Sequence, residues 1–489
     1  MTDDVSRSRP SVLAPEASGG IVAQDGFQYQ SALISSEVPR LLRYDGFTEM
    51  IEESLGDWEV KVYVPSRGLG IHFVEFKNHQ VSPSEFWKEI ARFRATYEAA
   101  PGTFLRYELV CAGVAPSLAS IVNGLERLRK TIPFYGCASS VAAASREEFT
   151  ERVLKHGEST ETADFLLHSV DIQTQARDTA EYAFEHFQRN ASEAFPCFAE
   201  LVVPRDARGS HDAVAQLVAH RRGQVILRRE LQDAFWHQGV EAHKPVEAIR
   251  LHTKHTDCAD ATEVGDLVLD WHRVFGGNSR DFPPPPVWQK MVVDELTALA
   301  RWVNEHGRGR RIRLTGHRRL STSVAVGRAF PSVGGFTIDV EARGGVWASD
   351  DYAVDGTPDP WDVELIEGEG EQNAGLVVGI GLMTDLRKDV HAFARCALSG
   401  MSVLTLTSQL PLQTGGDVNA AVNSAKARIR ELAGRYPGAC IHLFLACPAQ
   451  FAIFLGHRLN AVGAVQCYEW QTTGVYVPTC LLEAGSSHG

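Results

Sequence analysis

Nine cysteines are scattered through 489 residues, an odd number with no Cys-x-x-Cys pair. That pattern excludes a disulfide framework and points to a reducing cytosol. No run reaches the roughly 20 apolar residues of a membrane span, so no membrane partner is expected. The first 20 residues are polar and contain proline but no apolar h-region, so residues 1–20 are expected to be a disordered lead rather than a signal peptide. A basic excess is also missing: 48 Lys and Arg stand against 61 Asp and Glu, a net charge of −13. This excludes passive coating of nucleic acid but leaves room for local basic groups. The absence of Gly-x-x-x-x-Gly-Lys-[Ser/Thr] argues against P-loop ATP hydrolysis. No Gly-x-Ser-x-Gly or paired Cys/His nucleophile stands out either. What is present, 44% hydrophobic and 22% charged residues, is ordinary for a soluble globular protein. The length calls for two or three domains.

The stretch from Ile51 to Lys77 carries the most chemistry. Glu59 to Val64 alternates polar and apolar residues, Pro65 to Gly70 interrupts it, and Ile71 to Lys77 alternates again, which predicts a hairpin. On the second strand Glu75 and Lys77 share one face, while Val74 and Phe76 take the other. Asp57 stands at the mouth of the first strand, within reach of that pair. Two carboxylates and a lysine at a sheet edge suit metal-assisted phosphodiester cleavage. The carboxylates offer hard oxygens to Mg²⁺, and the ammonium steadies water or developing negative charge. The bland alternative is a solvated strand face with an ion pair across it.

Asp57 with Glu75-Phe-Lys77 resembles the D…(D/E)xK signature of restriction-endonuclease-like nucleases. The surroundings agree with that core's order of helix, hairpin, helix, strand and helix. A helix opens at Gly26-Phe27-Gln28-Tyr29-Gln30, and Ser82-Pro83-Ser84-Glu85 is a capping box before Phe86, Ile90, Phe93 and Tyr97. Tyr107 to Cys111 reads as a strand and Ser117 to Lys130 as a helix. The Gly-Phe-x-Tyr-Gln opening is similar to the nuclease domain found fused to SAVED sensors. The resemblance implies Asp57 and Glu75 as Mg²⁺ ligands, Glu53 (or Glu52) as a further one, Lys77 as the catalytic cation and Gln30 as a support. Lys88, Arg92, Arg94, Arg127, Arg129 and Lys130 read singly as solvated helix faces.

Residues 146–280 have a mostly helical pattern and are expected to form a helical extension or spacer after a nuclease core at 21–145. His252, His255 and Cys258 are spaced to clip zinc with His243 or His272, but the simpler expectation is histidines on a helix end and one buried cysteine. Gly276-Gly277 followed by Pro283-Pro284-Pro285-Pro286 predicts a stiff linker and the domain boundary.

Beyond it, strands and helices alternate through residues 281–489, implying parallel sheets with sites at the carboxyl ends of strands. Thr315 to Ser323 joins a strand end to a helix start, where free N–H groups favour phosphate, with His317, Arg318 and Ser321 as candidate ligand contacts. Thr384 and Asp385 occupy the matching turn of a second unit. Gly375 to Gly381 with Asp389-Val-x-x-Phe393, and His442 to Pro448 with Ile453 to His457 and Val465 to Trp470, resemble the SAVED domain, a fusion of two CARF-like Rossmann-type halves.

The expected fold class is α/β: a restriction-endonuclease-like domain with a helical extension, then a SAVED domain. The resemblance implies a cytoplasmic CBASS antiphage effector that cuts double-stranded DNA with Mg²⁺. In that family a cyclic oligonucleotide messenger, expected to be a trinucleotide, binds the SAVED domain and drives homo-oligomerisation. Two alternatives stand beside it: a sensor with a degenerate nuclease domain, and a constitutive repair or restriction nuclease.

Overall fold

The computed structural model describes residues 15–136, 139–174, 180–237, 240–245, 247–255, 266–275, 280–306, 309–342, 345–352, 359–369, 375–460 and 462–483. They divide into two compact units, Met1–Pro245 and Val246–Gly489.

The first unit runs α1 (Pro15–Arg43), β1 (Phe47–Glu52), β2 (Trp58–Val64), β3 (Gly68–Val81), α2 (Pro83–Ala99), β4 (Phe104–Val114), α3 (Ala119–Tyr135), α4 (Ser140–Leu154), α5 (Thr160–Ser169), β5 (Val170–Thr174), α6 (Ala180–Ala194), α7 (Pro196–Leu201), α8 (Pro204–His220), β6 (Ile226–Leu227) and α9 (Arg228–Phe235). Its sheet has the order β5-β4-β3-β2-β1-β6. Strands β1, β2 and β3 pair antiparallel, and β3, β4 and β5 pair parallel. The period-two alternation of β3 divides the apolar residues between two cores. Val74 and Phe76 pack with Leu33, Val38, Phe187, Val214 and Phe235, whereas Phe73 packs with Phe86, Ile90 and Phe93 of α2 and Ile121 of α3. Helix α2 starts as its sequence foretells: Ser82 accepts a hydrogen bond from the Glu85 N–H, and Pro83 fills a position whose N–H has no helical partner.

Two expectations need correction here. Residues 146–245 are not a spacer. Strand β5 extends the sheet beside β4, β6 pairs with β1, and Phe187, Val218 and Phe235 complete one core. The polyproline is not the boundary either, because the chain divides before β7.

The second unit runs β7 (Ala248–Lys254), β8 (Leu267–Asp270), α10 (His272–Phe275), α11 (Pro285–Trp288), α12 (Asp294–Glu305), β9 (Arg311–Gly316), α13 (Leu320–Ala329), β10 (Thr337–Ala342), β11 (Gly345–Ala348), β12 (Asp362–Ile366), β13 (Leu376–Leu382), α14 (Arg387–Ala397), β14 (Ser402–Ser408), α15 (Gly415–Ala433), β15 (Ile441–Ala446), α16 (Ala449–Arg458), β16 (Val465–Thr472) and β17 (Val475–Leu482). One sheet has the order β11-β10-β9-β7-β8 and the other β12-β14-β13-β15-β16-β17. Strands β8, β7, β9 and β10 are parallel, as are β14, β13, β15 and β16. Each sheet therefore reverses its direction of growth once, between β7 and β9 and between β13 and β15. These are the switch points at which doubly wound sheets open a crevice. The polyproline belongs to this unit: Pro284, Pro285 and Pro286 are exposed, and Trp288 after them is fully buried and donates to the Pro283 carbonyl at 3.0 Å.

The two sheets are joined through α13 and α16. A Cβ on Gly327 would collide with the Ile453 carbonyl, and one on Gly456 with the Val324 carbonyl. Each glycine is the eighth residue of its helix and meets the fifth residue of the other. The helices thus cross with local two-fold character at a separation only glycine permits.

Candidate functional site

In the first unit the pairing register assembles the site. Trp58 pairs with Val74, which sets Asp57 beside Glu75 at the end of the hairpin. Glu59 holds the preceding turn by accepting from the Leu55 N–H at 2.7 Å and the Gly56 N–H at 3.2 Å. Asp57 Oδ2 accepts the Phe76 N–H at 2.7 Å, midway between the two residues of interest. Lys77 Nζ lies 2.9 Å from Glu75 Oε1 and 3.2 Å from Glu89 Oε1. The structure therefore brings Asp57, Glu75 and Lys77 together.

The electrostatics follow from that crowding. Burial, and next the charge of Glu75, push the Asp57 carboxyl up to about 6. Burial opposes the charge on Lys77, but hydrogen bonding and attraction from Glu75 and Glu89 outweigh it and hold its pKa above the usual lysine range. Burial also raises Glu53.

Two cations have roles that the sequence reading did not give them. Arg92, exposed on α2, pairs with Glu75 and with Glu89, the latter at 2.8 Å, and its guanidinium lies 5.5 Å from the Phe73 ring. Its i,i+3 spacing from Glu89 was a usable signal, yet nothing local ties it to Glu75. Arg222 joins the opposite side through a contact 191 residues distant, donating to Ser31 Oγ at 2.9 Å and approaching Glu52 at 3.4 Å. Ser31 in turn donates to Glu52 at 2.8 Å. Glu52 is thus committed to Ser31 and Arg222, and Glu53 is the better further carboxylate. No hydrogen bond joins Gln30 to Asp57, Glu75 or Lys77 among the described residues, but its Oε1 is buried without a partner.

These donors fit a divalent cation. Buried oxygens of Glu53 and Gln30 lack hydrogen-bond partners, and Asp57 and Glu75 repel one another. Among the described residues no three His, Cys, Asp or Glu side chains form a ready-made metal cage. Mg²⁺ does not need one, since it is usually held by one or two carboxylates together with water and substrate phosphate.

In the second unit His317 is exposed just past β9, where Gly316 adopts φ +83° against the Thr253 carbonyl. Arg318 turns inward, donating to the Thr315 carbonyl at 2.9 Å, and burial lowers it to about 10. Ser321 does not face a ligand: it is 1% exposed, and its Oγ accepts from Thr479 at 2.8 Å. Its N–H donates to Glu469 Oε1 at 2.8 Å. A buried carboxylate therefore already occupies the start of α13, where a phosphate was expected, because the same N–H groups and dipole attract either anion. Thr384 and Asp385 are exposed past β13, and Asp385 is held by Arg387 at 2.9 Å.

The histidine pair also departs from expectation. His252 lies in β7 and His255 just after it, both 4% exposed rather than on a helix end. His252 Nδ1 meets Thr315 Oγ1 at 2.9 Å, and His255 stacks on Phe275 at 5.0 Å. Burial and the neighbouring Arg319, Arg318 and His317 lower His255 to about 3. Cys258 lies outside the described residues.

Residues 295–482 match the family described as SAVED, the SMODS-associated and fused to various effectors sensor domain. The chain is 26% identical to CD-NTase-associated protein 4 of an Acinetobacter species over 96% of its length and 99% of the relative's. The protein of that name from Moraxella osloensis is also 26% identical, with the same coverage. Among solved structures, the Acinetobacter baumannii Cap4 SAVED/CARF-domain containing receptor with the cyclic trinucleotide 2'3'3'-cAAA superposes with a TM-score of 0.77 at 24% identity, covering 94% of this chain and 98% of that one. The Moraxella osloensis Cap4 receptor gives 0.72 at 25%, covering 94% and 100%.

The SAVED match falls within the second unit with its two linked sheets, and an α/β unit built on a six-stranded sheet precedes it. Over nearly its whole length the chain is similar to the Cap4 proteins, and residues 295–482 carry the SAVED match.

Proposed function

We propose that this protein is a cytoplasmic endonuclease that cuts double-stranded DNA when its SAVED domain binds a cyclic oligonucleotide, by preference a trinucleotide, and copies of it assemble. The observation that carries the nuclease half is the convergence of Asp57, Glu75 and Lys77 within hydrogen-bond reach of one strand end. The sensor half is supported by the likeness to the Cap4 receptor described with cyclic trinucleotides. His317 and Thr384, exposed at the carboxyl ends of β9 and β13, stand where doubly wound sheets take ligands.

Asp57 and Glu75 would hold Mg²⁺, with Glu53 as the further carboxylate. The bound cation would supply charge neutralisation at the scissile phosphate and a more acidic water. Lys77, kept protonated by Glu75 and Glu89, orients the attacking water and offsets the negative charge of the transition state. Arg92 fixes the Glu75 carboxylate from the other side. Gln30 would support the site with its buried, unpartnered side-chain oxygen.

Plasmid digestion in Mg²⁺ with a panel of cyclic di- and trinucleotides tests this reading. Cutting is expected with one messenger only. Lys77→Ala should reduce it about a hundred- to a thousandfold, the usual cost of removing one transition-state contact. Lys77→Ala protein that cuts like the parent sinks the site assignment. Cutting without messenger favours a constitutive nuclease, and none under any condition favours a degenerate one.

A further inference from the structure

Residues Arg280 to Phe282, just ahead of the polyproline, lie against two distant parts of the second unit. The Arg280 guanidinium sits 4.1 Å from the Trp470 ring on β16, and Gln471 Nε2 is 3.5 Å from the Arg280 carbonyl. Two residues on, the Phe282 ring lies 4.7 Å under the Arg319 guanidinium at the start of α13. Trp470 is near the carboxyl end of β16 and donates to Asp389, in the first turn of α14, at 3.3 Å. The segment is therefore a strap joining the carboxyl ends of β9 and β16, one from each half. That is the edge of the sheets at which ligands bind.

Arg280 is exposed, and its guanidinium has no carboxylate partner among the described residues. A cation resting on an aromatic face at an exposed position is held weakly. A charge-assisted hydrogen bond to a phosphate is stronger, so exchange of the ring for a phosphate is favoured. The vacated indole face then stacks a base.

Resting on the sensor reading above, we propose that Arg280 and Trp470 form a nucleotide subsite: the strap brings Arg280 to a messenger phosphate while Trp470 stacks the adjoining base. This subsite takes the place of the α13 start, which Glu469 fills.

The test uses full-length protein and whichever member of a panel of cyclic di- and trinucleotides the unaltered protein binds most tightly, measured by calorimetry at two salt concentrations. Arg280→Ala should weaken binding about ten- to a hundredfold and flatten its salt dependence. Trp470→Leu should weaken it by about as much while keeping the salt dependence. Arg280→Lys should fall between, and Asp281→Asn should bind like the parent. Thermal melts accompany each variant. Arg280→Ala that binds like the parent overturns the subsite and leaves the sensor intact. So does weaker binding with unchanged salt dependence and a lowered melting temperature, the mark of a structural role. Failure of the unaltered protein to bind any member overturns the sensor reading and the subsite with it.

Discussion

At the scale of single residues, Asp57 concentrates the tension in the first unit. Its carboxyl is raised from the ordinary 3.8 to about 6 because it is part-buried and faces Glu75. A raised carboxyl binds its proton more tightly folded than unfolded, so ionising it costs stability. That cost is absent below about pH 4, grows as pH rises through about 6, and is complete above. Asp57→Asn, whose amide oxygen can still accept the Phe76 N–H, should raise the melting temperature in EDTA at pH 8 and not at pH 4, while abolishing cleavage. A melting temperature at pH 8 below the parent's would contradict this. On the proposed function Mg²⁺ would compete with the same proton, so its half-saturating concentration should climb as pH falls below about 6. The trio itself was legible because a strand's period of two puts Glu75 and Lys77 on one face. The roles of Arg92 and Arg222 were not, because their partners are fixed by tertiary packing rather than by spacing along the chain. The expectation for Ser321 failed for a related reason: a helix start draws any anion, and nothing near Ser321 in sequence announces Glu469, 148 residues away.

At the scale of elements, what the sequence displayed clearly was long and strongly patterned. Helix α2, with its cap and its buried Phe86, Ile90 and Phe93, is the example. What it hid was short or interrupted. Ala248–Lys254 alternates Ile249, Leu251 and Thr253 with Arg250, His252 and Lys254, so the strand signal was present, but the pairing of histidines with a cysteine drew attention to metal spacing instead. Polyproline likewise says stiff and extended without saying whether it separates domains, and the buried Trp288, donating to the Pro283 carbonyl, ties it to the second unit. The contact of α13 with α16 was equally silent, because a glycine inside a helix tells nothing of what crosses it. It carries a definite consequence. Gly327→Val places a branched side chain against the Ile453 carbonyl and the His457 N–H. Overpacking of this kind costs about 1–3 kcal/mol, and Gly456→Val should cost about the same. Urea titration of each variant checks it, and a midpoint equal to the parent's would mean that the helices part without penalty.

At the scale of the whole molecule, the proposed function meets a net charge of −13, which an activated DNA-cutting state would have to overcome. Affinity for DNA comes mainly from cations that displace counterions from phosphates, and an acidic chain offers few of them at a time. Several of those present are already spent: Arg92 on Glu75 and Glu89, Arg129 on Asp171, and Lys130 on Glu126. Assembly changes this arithmetic, since linked copies engage one duplex together and each further contact becomes intramolecular. A messenger that favours assembly would then raise DNA affinity and place two cutting sites on one duplex at once. Messenger-dependent cleavage should therefore rise more steeply than in proportion to protein concentration, and both strands should be cut in the same encounter. It should weaken sharply with added salt and stop with EDTA, returning when Mg²⁺ is restored. Light scattering with and without messenger, run beside plasmid digestion over a range of protein concentrations, tests the link. A rate strictly proportional to protein, with no change in scattering, would place activation within single copies and remove assembly from the mechanism.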